Sequence, residues 1–169
     1  MNKKMVVAGI ITTSIVSTFF IKNIVLAEYT VDGASMQPTL KEGHHFYINK
    51  WSYRFENVKR FDIIVFHIPE EEEVLVKRVI GLPGEKIEYK NDKLYVNEKF
   101  FPEPFLKTNK KREFGNAITG DFTLKEVTGK ERVPDGCLFV IGDNRLISRD
   151  SRHFGFVRLK DVIGKVNLE

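Results

Sequence analysis

Cysteine is nearly missing from this 169-residue chain, which has one, Cys137. A lone thiol excludes an internal disulfide and any multi-cysteine zinc site. It stands in Cys137-Leu138-Phe139-Val140-Ile141, where a small buried hydrophobe is its natural role. A stripe of one charge is missing too. The formal charge is only +4, and basic residues are scattered among acids, as in Lys41-Glu42 and Lys110-Lys111-Arg112-Glu113. That is not the footprint of a nucleic-acid binder. Of His44, His45, His67 and His153, no two flank an acid at helix-face spacing, which argues against a zinc hydrolase and leaves no metal or cofactor implied. Internal repeats are absent, as is sustained helical periodicity beyond the first segment. What remains is a series of short strands between turns, which predicts a mainly β barrel or sandwich. Charged residues make up 30% of the chain and Phe is abundant, so neither disorder nor a wholly membrane-embedded protein suits it. The length allows one domain with a small added lobe.

The first segment differs from the rest. Residues 5–21 are uncharged and largely apolar, with Lys3 and Lys4 before them and Lys22 after. Seventeen residues exceed a signal-peptide core of about 7–15 and reach the length of a spanning helix. With Lys22 snorkelling to the interface, the helix continues to residue 26. A transmembrane anchor over 5–26 is therefore expected, with residues 1–4 cytoplasmic and everything after Ala27 outside. The competing reading is a signal peptide cut after Val25-Leu26-Ala27.

Beyond the anchor, Val31-Asp32-Gly33-Ala34-Ser35-Met36-Gln37-Pro38-Thr39-Leu40 sets one serine among small residues and a proline-stiffened turn. Such a stretch is either a bland turn or the seat of an exposed nucleophile. A serine hydroxyl attacks a carbonyl only where a base takes its proton and donors receive the oxyanion. The histidines offer a Ser-His-Asp site on inventory, but none stands out. Val74-Leu75-Val76-Lys77-Arg78-Val79-Ile80 offers another base: two adjacent cations interrupt an apolar strand. Neighbours on a strand point to opposite faces, so one of the two should face the interior. A desolvated lysine loses its proton readily and becomes a general base. The plainer alternative is an edge strand with two exposed cations.

Other stretches supply the frame. Residues 60–69 read as a strand buried on both faces, and Glu70 to Glu73 as a solvated hairpin loop. Trp51, Tyr53 and Phe55 alternate with polar residues and fit a core strand, an edge strand or a membrane-interface patch. Residues 86–89 and 94–96 form a hairpin about Asn91-Asp92. The pattern then weakens up to Arg132, which suggests a loop-rich small lobe. Finally, Gly142-Asp143-Asn144-Arg145-Leu146-Ile147-Ser148-Arg149-Asp150-Ser151-Arg152 packs polar groups directly behind the strand 137–141, a position where scaffolds carry chemistry.

Four of these stretches, 32–40, 60–66, 76–84 and 142–152, in this order behind an anchor, resemble the motifs of bacterial type I signal peptidases. The short single-anchor form resembles the enzymes of Bacillus-type Gram-positive bacteria. The resemblance implies a membrane-anchored serine endopeptidase that removes signal peptides from exported preproteins after a small residue, at Ala-X-Ala-like sites. It implies Ser35 as nucleophile and Lys77 as general base, without a cofactor or metal. Ser148 would hydrogen-bond and orient the Lys77 amine. Asp150 with Arg152, and Arg78 with Asp143, would tie the loop to the strand. Gly33, Ala34, Met36 and Pro38 would shape the turn and the oxyanion site. Some members carry a serine where this chain has Gly33, which leaves the Ser35 N–H as the chief oxyanion donor.

The implied fold is a β catalytic core over 27–85 and 133–169 with a small β lobe, 86–132, inserted. Partners would be the signal peptides of secreted preproteins, the lipid bilayer and the secretion translocase, with no nucleic acid. The enzyme would sit in the cell membrane as a single-pass protein, its catalytic part on the extracytoplasmic side. Two alternatives remain open at this point: a non-catalytic membrane-tethered β module or inactive relative, and a self-cleaving Ser-Lys repressor, which would need a DNA-binding domain.

Overall fold

The structure is a computed structural model that describes residues 26–49, 58–69, 71–106 and 118–166. Residues 5–25, Trp51, Tyr53, Phe55 and the basic cluster at 110–113 lie outside the described residues. No helix among the described residues is long and apolar enough to cross a membrane. Of the expected anchor only its last residue is described. Leu26 opens β1 (Leu26–Thr30), whose register sets it opposite Asn49, so an extended strand occupies the position where a helix end was expected.

A seven-stranded antiparallel sheet forms the main body. Besides β1 it contains β2 (His45–Asn49), β3 (Ile63–Ile68), β4 (Glu73–Gly81), β9 (Cys137–Ile141), β10 (Val157–Arg158) and β11 (Val162–Val166). Their order is β1-β2-β11-β3-β4-β9-β10. A second, four-stranded sheet holds β5 (Ile87–Lys90), β6 (Lys93–Val96), β7 (Lys99–Phe101) and β8 (Phe122–Thr123), ordered β7-β6-β5-β8. Among the described residues there are also two short α-helices, α1 (Leu124–Thr128) and α2 (Ser151–Phe154). The mainly β class read from the sequence is what the structure shows. The expectation of a β core with a small added β lobe takes the form of two antiparallel sheets.

Local chemistry explains the joints. The turn between β5 and β6 is Asn91-Asp92, both at positive φ, and Asn97-Glu98 repeats the pattern between β6 and β7. Positive φ at both central residues matches the twist of a two-residue hairpin, and Asn and Asp tolerate it. The β6–β7 joint therefore gives the sequence region that looked weak a regular strand pair.

β3 is buried on both faces because its alternation feeds two cores. Ile63 and Val65 join Met36, Leu40, Phe46 and Ile48, while Ile64, Phe66 and Ile68 join Val79, Leu138 and Val140. A third cluster joins the sheets, packing Ile80, Phe139 and Ile141 of the large one on Ile87, Tyr89, Leu94 and Val96 of the small one. Burying apolar surface at about 25 cal/mol per Å² is what holds these layers together. The second sheet is thus part of the core that backs β4 and β9, the two strands next to the site.

Candidate active site

The serine turn is anchored by its own apolar residues. Met36 and Leu40 are buried in the core beneath it, and the Leu40 N–H donates to the Met36 carbonyl at 3.0 Å. Val31 closes the loop at its base, its N–H donating to the His44 carbonyl and its carbonyl accepting from Gly43 N–H, both at 2.9 Å. The Gln37–Pro38 peptide is cis, and Gly33 takes φ +83°, a left-handed conformation that side chains resist. This ties Gly33 to the backbone path of the turn and gives the chain a physical reason to lack a side chain there. Ser35 is left half-buried at the rim.

β4 brings the amine. The Lys77 Nζ lies 2.8 Å from the Ser35 Oγ and donates to the Val76 carbonyl at 2.9 Å. Lys77 is 3% exposed and stands opposite Ile64 in the register, beside Val79 on the same face. Burial penalises the ammonium and pulls the pKa down from 10.5 to about 8, against the opposing pull of Asp150 and Glu73. Sequence alternation predicted one interior cation; the structure buries both, Arg78 being 6% exposed. They do face opposite ways, but both faces of this strand are covered, which the sequence could not show.

Arg78, on the other face, is fully partnered. Its Nε and Nη2 reach the Asp143 carboxylate at 2.8 and 2.5 Å, its Nη1 donates to the Phe61 carbonyl at 2.8 Å, and the Phe105 ring lies 3.9 Å from the guanidinium carbon. The Thr39 hydroxyl donates to the same carboxylate. Asp143 therefore ties the serine turn and the lysine strand to one loop. Asp150 organises the other end of that loop. Its carboxylate accepts from Arg152 Nε at 2.8 Å and Nη2 at 2.9 Å, and from Gly142 N–H at 3.1 Å, while capping α2.

Gly142 is the tightest point. A Cβ there would stand 2.2 Å from the Ser148 Oγ and 2.5 Å from the Ser35 carbonyl oxygen. Only glycine lets the loop approach the nucleophile this closely. Asn144 fastens the approach, its N–H donating to the Ser35 carbonyl at 3.0 Å and its side-chain amide to the Ala34 carbonyl at 3.1 Å. Ser148 is where the structure departs from the expected arrangement. The two hydrogen bonds of the Lys77 amine go to Ser35 and Val76, and the buried Ser148 Oγ has no hydrogen-bond partner.

Sequence reasoning passed over Asn144 and Arg145. The Arg145 side chain is fully buried between the sheets and donates to the Gly142 carbonyl, the Tyr89 hydroxyl, the Thr119 hydroxyl and, at 2.5 Å, the Glu103 carboxylate. Tyr89 also donates to Glu103, at 2.8 Å. Both missed residues stood in plain view between Asp143 and Ser148, in a run already singled out. Glu103 and Tyr89 gave no local signal, being polar groups in ordinary strand and turn sequence. Among the described residues no group of His, Cys, Asp and Glu is placed to hold a metal ion.

A serine hydroxyl 2.8 Å from a buried amine whose pKa is lowered to about 8 is an arrangement in which an amine can take a serine's proton. Comparison with known proteins identifies the family. The model of the signal peptidase family, peptidase S26, matches residues 3–169. The chain belongs to this family. It is 57% identical over 143 residues to signal peptidase I of Bacillus caldolyticus, covering 85% of this chain and 78% of that protein. It is 51% identical over 160 residues to signal peptidase I V of Bacillus subtilis strain 168, covering 95% and 94%. A crystal structure of a signal peptidase I from Enterococcus faecalis V583 is 43% identical with a TM-score of 0.62, covering 66% of this chain and 98% of that one. Family membership sets aside the repressor-like reading, and the identity to these signal peptidases supports a serine peptidase over a non-catalytic module.

Proposed function

We propose that this protein is a type I signal peptidase of the Bacillus type, a serine endopeptidase that frees exported preproteins from their signal peptides with Ser35 and Lys77. The single observation that carries the reading is the 2.8 Å contact between the Ser35 Oγ and a Lys77 amine whose pKa is lowered to about 8. In the first half-reaction the neutral amine takes the Ser35 proton as the oxygen attacks the scissile carbonyl carbon. The Ser35 N–H receives the oxyanion. The resulting ammonium then protonates the departing amine of the mature protein, which leaves an ester on Ser35. In the second, Lys77 takes a proton from water, the hydroxide attacks the ester, and the ammonium returns its proton to the Ser35 oxygen.

Around this pair, Arg78 with Asp143 and Arg152 with Asp150 hold strand and loop in register. Ser148, whose buried hydroxyl has no hydrogen-bond partner here, is assigned to orient the amine. The catalytic core is assigned to 27–85 and 133–169, and the inserted lobe to 86–132. The largely apolar residues 5–25, ahead of β1, serve as a single membrane anchor with the catalytic part outside, where tethering restricts orientation toward signal helices in the same bilayer. The translocase that delivers those preproteins is the expected neighbour.

Cleavage of a preprotein by the full chain in detergent micelles tests the assignment. Ser35→Ala and Lys77→Ala should each abolish product while remaining folded, and Lys77→Arg should fail too because a guanidinium does not become neutral in this range. Robust cleavage by any of the three would remove the dyad.

A further inference from the structure

The loop that carries Ser148 and Asp150 makes one contact the dyad does not use. Arg149, between them, turns outward from the buried loop to the start of β4. Its Nη2 pairs with Glu71, its Nη1 lies 3.4 Å from the Glu73 carboxylate, and the Phe154 ring lies 5.8 Å from its guanidinium carbon. Although its side chain is half exposed, two carboxylates and a ring hold it in place. Glu73, Leu75 and Lys77 alternate onto one face of β4, so Glu73 shares the face that carries the amine. Four residues of strand put the two Cα atoms about 13 Å apart, a separation of the order of the Debye length at physiological salt, so the fields of the exposed Glu73 and Arg149 charges still reach the amine.

We propose that Arg149 is a positioning residue for the reaction, fixed by Glu71 and Glu73 so that its charge and that of Glu73 set opposing fields at the Lys77 amine. The inference rests on the Ser35–Lys77 reading. Mechanically, the clamp also closes a ring of contacts around the dyad. From Glu73 the ring runs along β4 to Lys77, across to Ser35, through its carbonyl to the Asn144 N–H, and along the loop back to Arg149.

The charged groups around the amine are few. From its own strand comes Glu73, which favours the ammonium; from the loop come Asp150, which favours it, and Arg149, which opposes it. Asp150 is already paired with Arg152. Glu71 meets Arg149 at the clamp's outer end. Removing the Arg149 charge should therefore raise the pH at which Lys77 becomes neutral, and removing the Glu73 charge should lower it. For single charges at about 10 Å in a largely aqueous surround, Coulomb's law gives a shift of about 0.3 of a pH unit each way.

The test is the acid limb of kcat/KM for a peptide with an Ala-X-Ala site, measured on the full chain in detergent micelles between pH 6 and pH 10. Arg149→Gln should move the limb up and Glu73→Gln down, since Glu71 still holds Arg149 in the second variant. Arg149→Lys, which keeps the charge and loses the fork, should stay near wild type. All four profiles should converge at about 1 M salt, where the Debye length falls to about 3 Å. A clamp that is merely structural would lower activity in Arg149→Gln and Glu73→Gln with both limbs unmoved, or moved the same way, and either result overturns the proposal. Ser35→Ala separates the two levels. If it remains active, the dyad reading has failed; if it is dead while the limbs stand still, only the role of Arg149 has.

Discussion

Replacing Lys77 by methionine, which keeps the length of the side chain and discards the charge, measures how hard the fold works to deprotonate its base. At pH 7 a lysine of pKa about 8 is neutral in about one molecule in ten, against about one in three thousand at 10.5. That is a gain of roughly 300-fold in competent enzyme, or about 3 kcal/mol, supplied by desolvation. Catalysis should report it as a kcat/KM that climbs about tenfold per pH unit below pH 8 and levels above it.

Stability should report the same quantity with the sign that linkage demands. Between pH 8 and 10.5 the folded amine binds fewer protons than the unfolded one, so stability rises with pH across that window. The benefit is complete above the unfolded value and is lost as pH falls to the folded value. Urea unfolding free energies of wild type and Lys77→Met, measured from pH 7 to pH 10, should therefore differ by an amount that changes by about 2.5 kcal/mol over that range and levels off below pH 8. The hydrogen bond to Ser35 that the variant loses adds only a pH-independent offset. A flat difference, together with an acid limb near 10, would show an amine that is solvated and charged, and would refute the reasoning.

Two further outcomes follow from the packing around the pair. Gly142→Ala would drive a methyl against the Ser148 Oγ and the Ser35 carbonyl. Overpacking of this kind costs about 1–3 kcal/mol, and a displacement of about 1 Å at the nucleophile can cost about 100-fold in rate. The thermal midpoint should therefore fall modestly while kcat falls steeply; an active variant would mean the loop can retreat. Asp143→Ala leaves the buried Arg78 guanidinium unpaired, which should destabilise the protein by about 3–5 kcal/mol in denaturant unfolding. The double variant Arg78→Met with Asp143→Ala should recover part of that loss, and no recovery would mean the pair matters for shape alone.

How much of this was legible beforehand depends on the range of the signal. The hairpin at Asn91-Asp92, the strand Cys137–Ile141 and the two-faced burial of β3 were readable because turn chemistry and apolar runs are local. Lys77 stood out for the same reason, as a charge where the pattern demanded an apolar residue. Ser35 stood out as well, by its turn, but the pairing did not, because the two lie 42 residues apart and nothing local aims one at the other. Arg145 was missed for a related reason. Its worth lies in Tyr89, Glu103 and Thr119, polar groups that only the packing of the second sheet on the first brings to one buried point. Ser148 shows the opposite limit. Its role was carried over from the resemblance, and its hydroxyl is buried at Gly142 while the amine bonds elsewhere.

How Lys77 and its neighbour Arg78 differ follows from how partners are shared across β4. Both side chains are buried, and burial pulls the Lys77 pKa down to about 8. Arg78 meets it with a two-point carboxylate, a carbonyl and an aromatic face, and its guanidinium is in any case too basic to yield. Lys77 meets a hydroxyl and a carbonyl, and among the described residues no carboxylate stands within ion-pair distance of it. The acid whose field reaches it first, Asp150, already serves Arg152 and the Gly142 N–H. Pairing Asp150 elsewhere is thus as much a part of making the base as burying the amine, because an unshared carboxylate at that distance would hold the proton on. Around the site, Arg78 and Arg152 take Asp143 and Asp150, and Lys77, left without an acid of its own, is the amine whose pKa falls to about 8, as the proposed role of a base requires.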